Sequence, residues 1–174
     1  MPGGKHNQRG FTLIELIVVI ILLGILSVTA ASRMIGRSSF DAFVTRDQAI
    51  SVARQIQITA MQSGNTNNSL NACDRLFVVY NEDDTKSHFG VPISVSCPDN
   101  REQSSAFLPG KNTHTQFSPS TEIYFNLLGR PVDASGSRIC TSGSGCKVTI
   151  RSRNGETACL YINSEGFIHE GDCV

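Results

Sequence analysis

Residues 10–16 of the chain read GFTLIEL, and the apolar run that they open continues to Ser32. Within that run a single carboxylate, Glu15, follows the glycine by five positions. A charged side chain near the centre of a bilayer costs at least about 2.5–3.5 kcal/mol, so an intramembrane carboxylate normally has a functional partner. The stretch therefore predicts an apolar helix whose one charge has a dedicated role.

The ten residues before Phe11 are polar and basic, with Lys5 and Arg9 as their charged groups. Because the apolar run begins only after Gly10, these residues do not form the hydrophobic core of an ordinary secretory signal peptide. From Phe11 to Ser32 the run would be about 33 Å long as a helix, which is enough to span a bilayer. The positive-inside rule then keeps the N-terminus in the cytoplasm and places the C-terminal domain outside it.

The sequence around Gly10, Phe11 and Glu15 resembles the class III signal of type IV pilins and type II secretion pseudopilins. The resemblance implies that residues 1–10 are a leader peptide, which prepilin peptidase removes after Gly10, and that Phe11 is then N-methylated. It also implies that Glu15 pairs with the N-terminal amine of a neighbouring subunit during assembly. Opposite charges attract strongly in apolar surroundings, where either charge left alone is heavily penalised.

Apolar residues with helical spacing continue beyond residues 11–35, the predicted transmembrane and filament-core segment. They extend through residues 36–64, where polar residues on the opposite face can contact water. These apolar positions are Ala42, Phe43, Ala49, Ile50, Ala53, Ile56 and Ala60. Ser63-Gly64 ends the pattern. We therefore predict one long helix with an apolar half and an amphipathic half.

The pattern changes to strands in residues 65–174, the predicted globular head. Predicted strands cover residues 75–80, 91–96, 121–127, 147–153, 156–163 and 167–169. Asn154-Gly155 predicts a type I′ hairpin turn. The predicted fold class is α+β, with the long N-terminal helix packed on an antiparallel β-sheet head as in pilins. Residues 123–130 and 166–168 resemble the C-terminal module of minor pseudopilins of the GspH and FimT kind, so a GspH-like head is expected.

Six cysteines lie in the predicted head: Cys73, Cys97, Cys140, Cys146, Cys159 and Cys173. An even number in an exported domain indicates disulfides, and six cysteines allow fifteen pairings. The loop between Cys140 and Cys146 contains only small residues and can close on itself. By resemblance to the C-terminal disulfide loop of pilins, Cys159 is expected to bond Cys173. The remaining pair is then Cys73 with Cys97.

The same cysteines include no C-x-x-C motif and no nearby histidine pairing, so disulfides are favoured over zinc and no metal or cofactor is predicted. His88, His114 and His169 lie in separate segments without a nucleophile motif. Glu170 and Asp172 provide oxygen ligands too sparsely for a calcium loop. The sequence does not indicate an enzyme.

Five cations crowd residues 130–153 against one carboxylate: Arg130, Arg138, Lys147, Arg151 and Arg153. Clustered cations bind phosphates, so a DNA-receptor face using Arg151 and Arg153 is one hypothesis. A solvated hairpin edge is favoured, because charges on edge strands discourage aggregation. The chain has 15 basic and 15 acidic groups, and loss of Lys5 and Arg9 with the leader leaves 13 against 15. That balance does not favour nucleic acid as a partner.

The favoured hypothesis is a minor type IV pilin, a low-copy subunit that helps initiate or cap pilus assembly and so supports surface adhesion. Gly24 matches a helix glycine common in major pilins, whereas Ser32 stands where many of them have proline. Residues 36–43 and 46–48 resemble the C-type minor pilin of the mannose-sensitive haemagglutinin pilus. Expected partners are prepilin peptidase, an inner-membrane assembly platform and other major and minor pilins. The protein would lie in the inner membrane with a periplasmic head, and then in the pilus on the bacterial surface.

Two other classes share parts of this pattern. A type II secretion minor pseudopilin has the same kind of helix and a similar head, but acts in a short periplasmic assembly. A signal-anchored periplasmic binding protein or enzyme would not be cleaved after Gly10 and would have no use for Glu15.

Overall fold

A computed structural model describes residues 12–35, 40–63, 73, 75–93 and 104–173, with side chains from residue 12 to residue 27 in the first of these ranges. The chain divides into two compact units, Met1–Arg37 and Ser38–Val174. Over these described ranges, the first unit contains helix α1, and the second contains helix α2, a short helix α3 and nine strands. The architecture is α+β, as predicted, with antiparallel sheets throughout the described residues.

Helix α1 spans Leu13–Ile35 and begins after a threonine cap. The backbone N–H of Glu15 donates to Oγ1 of Thr12 at 3.3 Å, which satisfies one of the helix's free N-terminal donors. Leu13 to Leu26 leave their large apolar side chains 41–77% exposed in this unit. Among the described residues, no helix is both long enough and apolar enough to cross a membrane.

Helix α2 spans Asp41–Gln62, so the predicted single helix is divided in two. Phe40 adopts φ −108° and ψ −7° and lies just outside α2. Residues 36–39, the rest of the predicted continuation, lie outside the described residues. Phe40 is a weaker helix former than the alanines and leucines of α1, and the spacing of apolar residues takes no account of this difference.

Two antiparallel sheets form the rest of the head. One has the order β3-β2-β1-β5-β6, and its strands are β1 Leu76–Val79, β2 His88–Gly90, β3 Phe107–Pro109, β5 Thr121–Phe125 and β6 Pro131–Val132. The other has the order β4-β7-β8-β9, and its strands are β4 Thr115–Ser118, β7 Cys146–Ser152, β8 Thr157–Ile162 and β9 Ile168–Gly171. Helix α3, Gly110–Thr113, connects β3 to β4.

One face of α2 packs on both sheets. Its buried residues recur every three or four positions: Ala42, Thr45, Ala49, Ile50, Val52, Ala53, Ile56 and Ala60. The alanines let the helix approach the strands closely, and Ile56 inserts among fully buried residues such as Leu160 and Phe89. Burying a side chain of that size contributes roughly 1.5–3 kcal/mol, so this packing is the main source of stability in the head.

A buried serine joins the two sheets. The hydroxyl of Ser87, 1% exposed, donates to the carbonyl oxygen of Val79 in β1 at 2.8 Å. It also accepts the backbone N–H of Phe117 in β4 at 3.0 Å. Because Val79 and Phe117 belong to different sheets, this one side chain satisfies one backbone group in each sheet.

The predicted strand at residues 91–96 is wrong over Val91–Ile93. The strand in this region, β2, precedes it and ends at Gly90, whose φ of +136° ends the extended backbone. Pro92 has no N–H to donate to a ladder, and residues 94–96 lie outside the described residues. The predicted strands at 75–80, 121–127, 147–153, 156–163 and 167–169 correspond to β1, β5, β7, β8 and β9. Strands β2, β3, β4 and β6 were not predicted.

The predicted type I′ turn at Asn154-Gly155 is also wrong. Ser152 donates its N–H to the oxygen of Glu156 at 2.9 Å, so the β7–β8 loop has three residues rather than two. Gly155 has φ +88°, whereas Asn154 does not have the positive φ that a type I′ turn needs. The loop is therefore a three-residue hairpin with glycine in the left-handed position.

Candidate functional site

The first candidate site is the start of α1. Glu15 lies in the first helical turn, where the helix dipole favours a negative charge, and its side chain is exposed. Within the described residues no salt bridge is formed by Glu15. The predicted cleavage and methylation residues, Gly10 and Phe11, lie outside the described residues.

The second candidate site is built on three turns of the head, residues 126–130, 133–137 and 163–167. In each turn the first side chain is Asn or Asp, and its Oδ1 accepts backbone N–H groups two and four residues later at 2.8–3.0 Å. The fourth residue in each is a glycine with positive φ, and its N–H donates to the first residue's carbonyl oxygen. These internal bonds hold each turn in one conformation without help from other elements.

Gln57 of α2 joins two of these turns. Its Nε2 donates to the carbonyl oxygens of Gly129, at 2.7 Å, and Gly166, at 2.8 Å. The two turns are so close that a Cβ on Gly166 would lie 2.0 Å from the Gly129 oxygen. Gln57 therefore fixes the β5–β6 turn and the β8–β9 turn to each other and to the helix.

An arginine–glutamate–arginine group supports the same contact. Arg130 approaches Oε2 of Glu165 at 2.8 Å, and Arg138 contacts Oε1 of Glu165 and the carbonyl oxygen of Ser164. The hydrogen bond from Arg138 and the positive charge of Arg130 hold the pKa of Glu165 below its usual range. Two guanidinium groups share one carboxylate, so the three side chains together have a net positive charge.

Four large apolar residues lie next to Gly129 or Gly166, and their side chains are 43–68% exposed. Leu127, Leu128 and Phe167 are 57%, 68% and 61% exposed, and Met61 is 43% exposed. Met61 belongs to this group, since its Sδ is 3.0 Å from the position that a Cβ on Gly129 would occupy. We call these four residues the turn corner.

Sequence reasoning did not identify Gln57 or Glu165 as site residues. A repeated pattern could have pointed to the region, since Asn or Asp is followed three positions later by glycine at Asn126, Asp133 and Asn163. The pairing of two such turns through a helix side chain depends on tertiary structure and leaves no local pattern.

Two of the expected disulfides are present. Cys140 and Cys146 have an S–S distance of 2.03 Å, and Cys159 and Cys173 have one of 2.17 Å. The second bond holds the segment after β9 to the central strand β8. Cys73 is also disulfide-bonded, whereas its expected partner, Cys97, lies outside the described residues.

The five predicted cations do not form one face. Arg130 and Arg138 meet Glu165 beyond the end of β8, whereas Arg153 lies at the other end of the β7–β8 hairpin, about 20 Å away along seven residues. Nε of Arg153 is 2.6 Å from Oδ2 of Asp84, and this hydrogen bond lowers the pKa of Asp84. Lys147 and Arg151 lie between these ends on β7, and among the described residues Arg151 forms no salt bridge.

The three head histidines lie on different elements of the fold. The rings of His88 and Phe107 are 5.2 Å apart, and those of His169 and Phe167 are also 5.2 Å apart. His114 follows α3 with a left-handed backbone. In the described part of the chain, no group of three or more His, Cys, Asp or Glu side chains is arranged to hold a metal ion.

Comparison with known proteins gives one match. Residues 5–31 match the family model of the prokaryotic N-terminal methylation motif. No curated protein and no solved structure matches the chain. The motif points to a structural subunit rather than an enzyme and implies processing by prepilin peptidase and assembly with other pilins. The chain thus carries a prepilin-type N-terminal signal, which supports a type IV pilin-like protein.

Proposed function

We propose that this protein is a minor type IV pilin, a low-copy structural subunit that helps initiate or cap pilus assembly and so supports surface adhesion. The observation that carries the proposal is the exposed Glu15 carboxylate in the first turn of α1, five residues after Gly10 and inside the methylation motif. That position suits a carboxylate that receives the methylated amine of a neighbouring subunit's Phe11.

The proposed mechanism transfers α1 from the inner membrane to a bundle of helices in the filament. Its side chains leave apolar surface exposed over the whole described part of the helix, so a lipid or helical environment must cover them. Before assembly Glu15 has a desolvation cost, and pairing with an amine offsets it. The pair fixes the axial register because only one position brings the two charges together.

A minor role is supported by the helix sequence, in which Ser32 stands where many major pilins have proline. The bonds Cys140–Cys146 and Cys159–Cys173 brace the head, which suits a subunit exposed to the medium outside the cell.

Intact-mass analysis of the full chain from cells with and without prepilin peptidase tests the proposal. We expect a mature species that begins at methylated Phe11 only when the peptidase is present. Glu15→Ala should then remain processed but be lost from the filament fraction. Glu82→Gln, which removes an exposed carboxylate from the head, is the matched control and should assemble normally.

The opposite results identify the alternatives. A full-length chain in both strains would contradict the proposal and favour a signal-anchored periplasmic protein. A processed chain that is required for protein secretion but is never found in surface filaments would favour a type II secretion minor pseudopilin.

The DNA-receptor alternative, with Arg130, Arg138, Lys147, Arg151 and Arg153, has less support. Three of these cations, Arg130, Arg138 and Arg153, are paired with carboxylates of the head itself. A phosphate would have to displace Glu165 or Asp84 to contact them, which reduces the gain from each new contact.

A further inference from the structure

We infer that the turn corner (Met61, Leu127, Leu128 and Phe167) is a docking surface for the head of a different pilin-type subunit, one that brings an apolar side chain and a carboxylate. This inference rests on the proposed function, because it assumes that the head meets other subunits in a filament. It adds to that function a specific surface and the chemistry of the partner.

The first argument is the exposure of leucines on rigid turns. Leu127 and Leu128 are the second and third residues of a turn that the Asn126 side chain closes, positions where polar residues are usual. The other Asx turns of the same geometry have small or charged residues there, such as Ala134 and Glu165. Exposed apolar side chains that lie together, rather than singly, indicate an interaction site.

The second argument is that the surface is preorganised. Gln57 fixes both turns through hydrogen bonds to Gly129 and Gly166, and Glu165 holds Arg130 and Arg138 in place. A partner that binds here would order few side chains, which lowers the entropy cost of association.

The third argument is charge complementarity. The side chains of Arg130 and Arg138 remain 39% and 47% exposed although both contact Glu165. Each guanidinium has donors that Glu165 does not use, and the group has one excess positive charge. A carboxylate at the rim of the partner's apolar surface can accept those donors and balance that charge.

Site-specific photo-cross-linking of the full chain in pilus-forming cells tests the inference. Leu128 is replaced by p-benzoylphenylalanine, and Tyr80 is replaced in the same way as the matched control. Tyr80 is 46% exposed but lies at the opposite end of β5, where its N–H donates to Ser120. We expect position 128 to give at least fivefold more adduct than position 80, with a protein that has its own methylated N-terminus.

Arg138→Gln in the position-128 background tests the charge argument and should lower adduct yield at least threefold. The inference is overturned if positions 80 and 128 give equal adduct, if Arg138→Gln has no effect, or if the partner is a second copy of this chain. Intact mass separates the two hypotheses. A chain not cleaved after Gly10 contradicts the proposed function, whereas a chain that begins at Phe11 but gives no adduct at position 128 contradicts only the docking surface.

Discussion

Gly166 makes the tightest backbone contact of the candidate site, and at the scale of single residues it shows why the turn corner needs glycine. Its φ is +88°, and a Cβ there would lie 2.0 Å from the Gly129 oxygen and 2.7 Å from Nε2 of Gln57. Gly155 has the same φ of +88° but nothing within 4 Å of its Cβ position. Comparing Gly155 with Gly166 therefore separates the cost of a left-handed backbone, which both positions have, from the cost of steric overlap, which only Gly166 has.

We predict that Gly166→Ala destabilises the head more than Gly155→Ala does. Gly155→Ala should cost about 1–2 kcal/mol, the usual penalty for a left-handed alanine. Gly166→Ala adds a clash with backbone that cannot move without breaking the Gln57 bonds, so we expect at least about 2 kcal/mol more. Urea unfolding of both variants measures this difference, and equal midpoints would show that the two turns are not held together.

The ionisation of Glu165 makes the stability of the head depend on pH. Arg138 and Arg130 lower the pKa of Glu165 from its usual value of 4.5 in the folded head. A lowered pKa stabilises the fold at pH values above 4.5, and this contribution is lost as the pH falls through the folded pKa. We predict that Glu165→Gln lowers the urea midpoint at pH 7, and that the difference from the natural protein disappears at an acid pH below the folded pKa of Glu165.

Glu82→Gln is the control for this pH effect, because it removes an exposed carboxylate that forms no salt bridge with the described residues. Its urea midpoint should follow that of the natural protein at both pH values. A Glu165→Gln defect that persists undiminished at low pH would mean that the loss is one of packing rather than charge.

At the scale of elements, the sequence predicted those helices and strands whose residues alternate or recur with a regular local spacing. The buried face of α2 followed from apolar residues such as Ala49, Ala53 and Ile56, and the long strands β7 and β8 followed from their alternation. Strands β3 and β6, with three and two residues, are too short for alternation to be visible, and tertiary pairing alone defines them. The same limit concealed the contacts of Gln57. Its hydrogen-bond partners, Gly129 and Gly166, lie 72 and 109 positions further along the chain.

The two described disulfides are expected to differ in their effect on stability. Cys159 and Cys173 are 14 positions apart, and Cys140 and Cys146 are six apart. In the chain-entropy model the longer loop contributes about 3 kcal/mol and the shorter about 2.4 kcal/mol. We predict a lower denaturation midpoint for Cys159→Ala with Cys173→Ala than for Cys140→Ala with Cys146→Ala. The reverse order would show that the shorter bond supports native packing around Arg138 as well as restricting the unfolded chain.

At the scale of the whole molecule, the charges are nearly balanced and several arginines are paired within the head. The chain has 15 basic groups and 15 acidic groups, and pairs within the head use Arg130, Arg138 and Arg153. Apolar surface, by contrast, is exposed on α1 and at the turn corner. Each unit thus presents apolar surface to its surroundings, which suits a subunit that other subunits cover.

This distribution predicts that the protein does not retain DNA at about 150 mM salt, where a site with few unpaired cations has lost most of its electrostatic affinity. Arg151→Ala with Arg153→Ala should lower the weak retention at low salt only slightly, because Asp84 already neutralises Arg153 and the loss of Arg151 removes one cationic contact. Gel-shift assays with duplex and single-stranded DNA across a salt series measure both properties. Glu165→Gln serves as the positive comparison, since it frees Arg130 and Arg138 and should increase retention at low salt. Tight binding by the natural protein that the double alanine variant abolishes would contradict this prediction and make the β7–β8 hairpin a DNA-receptor face.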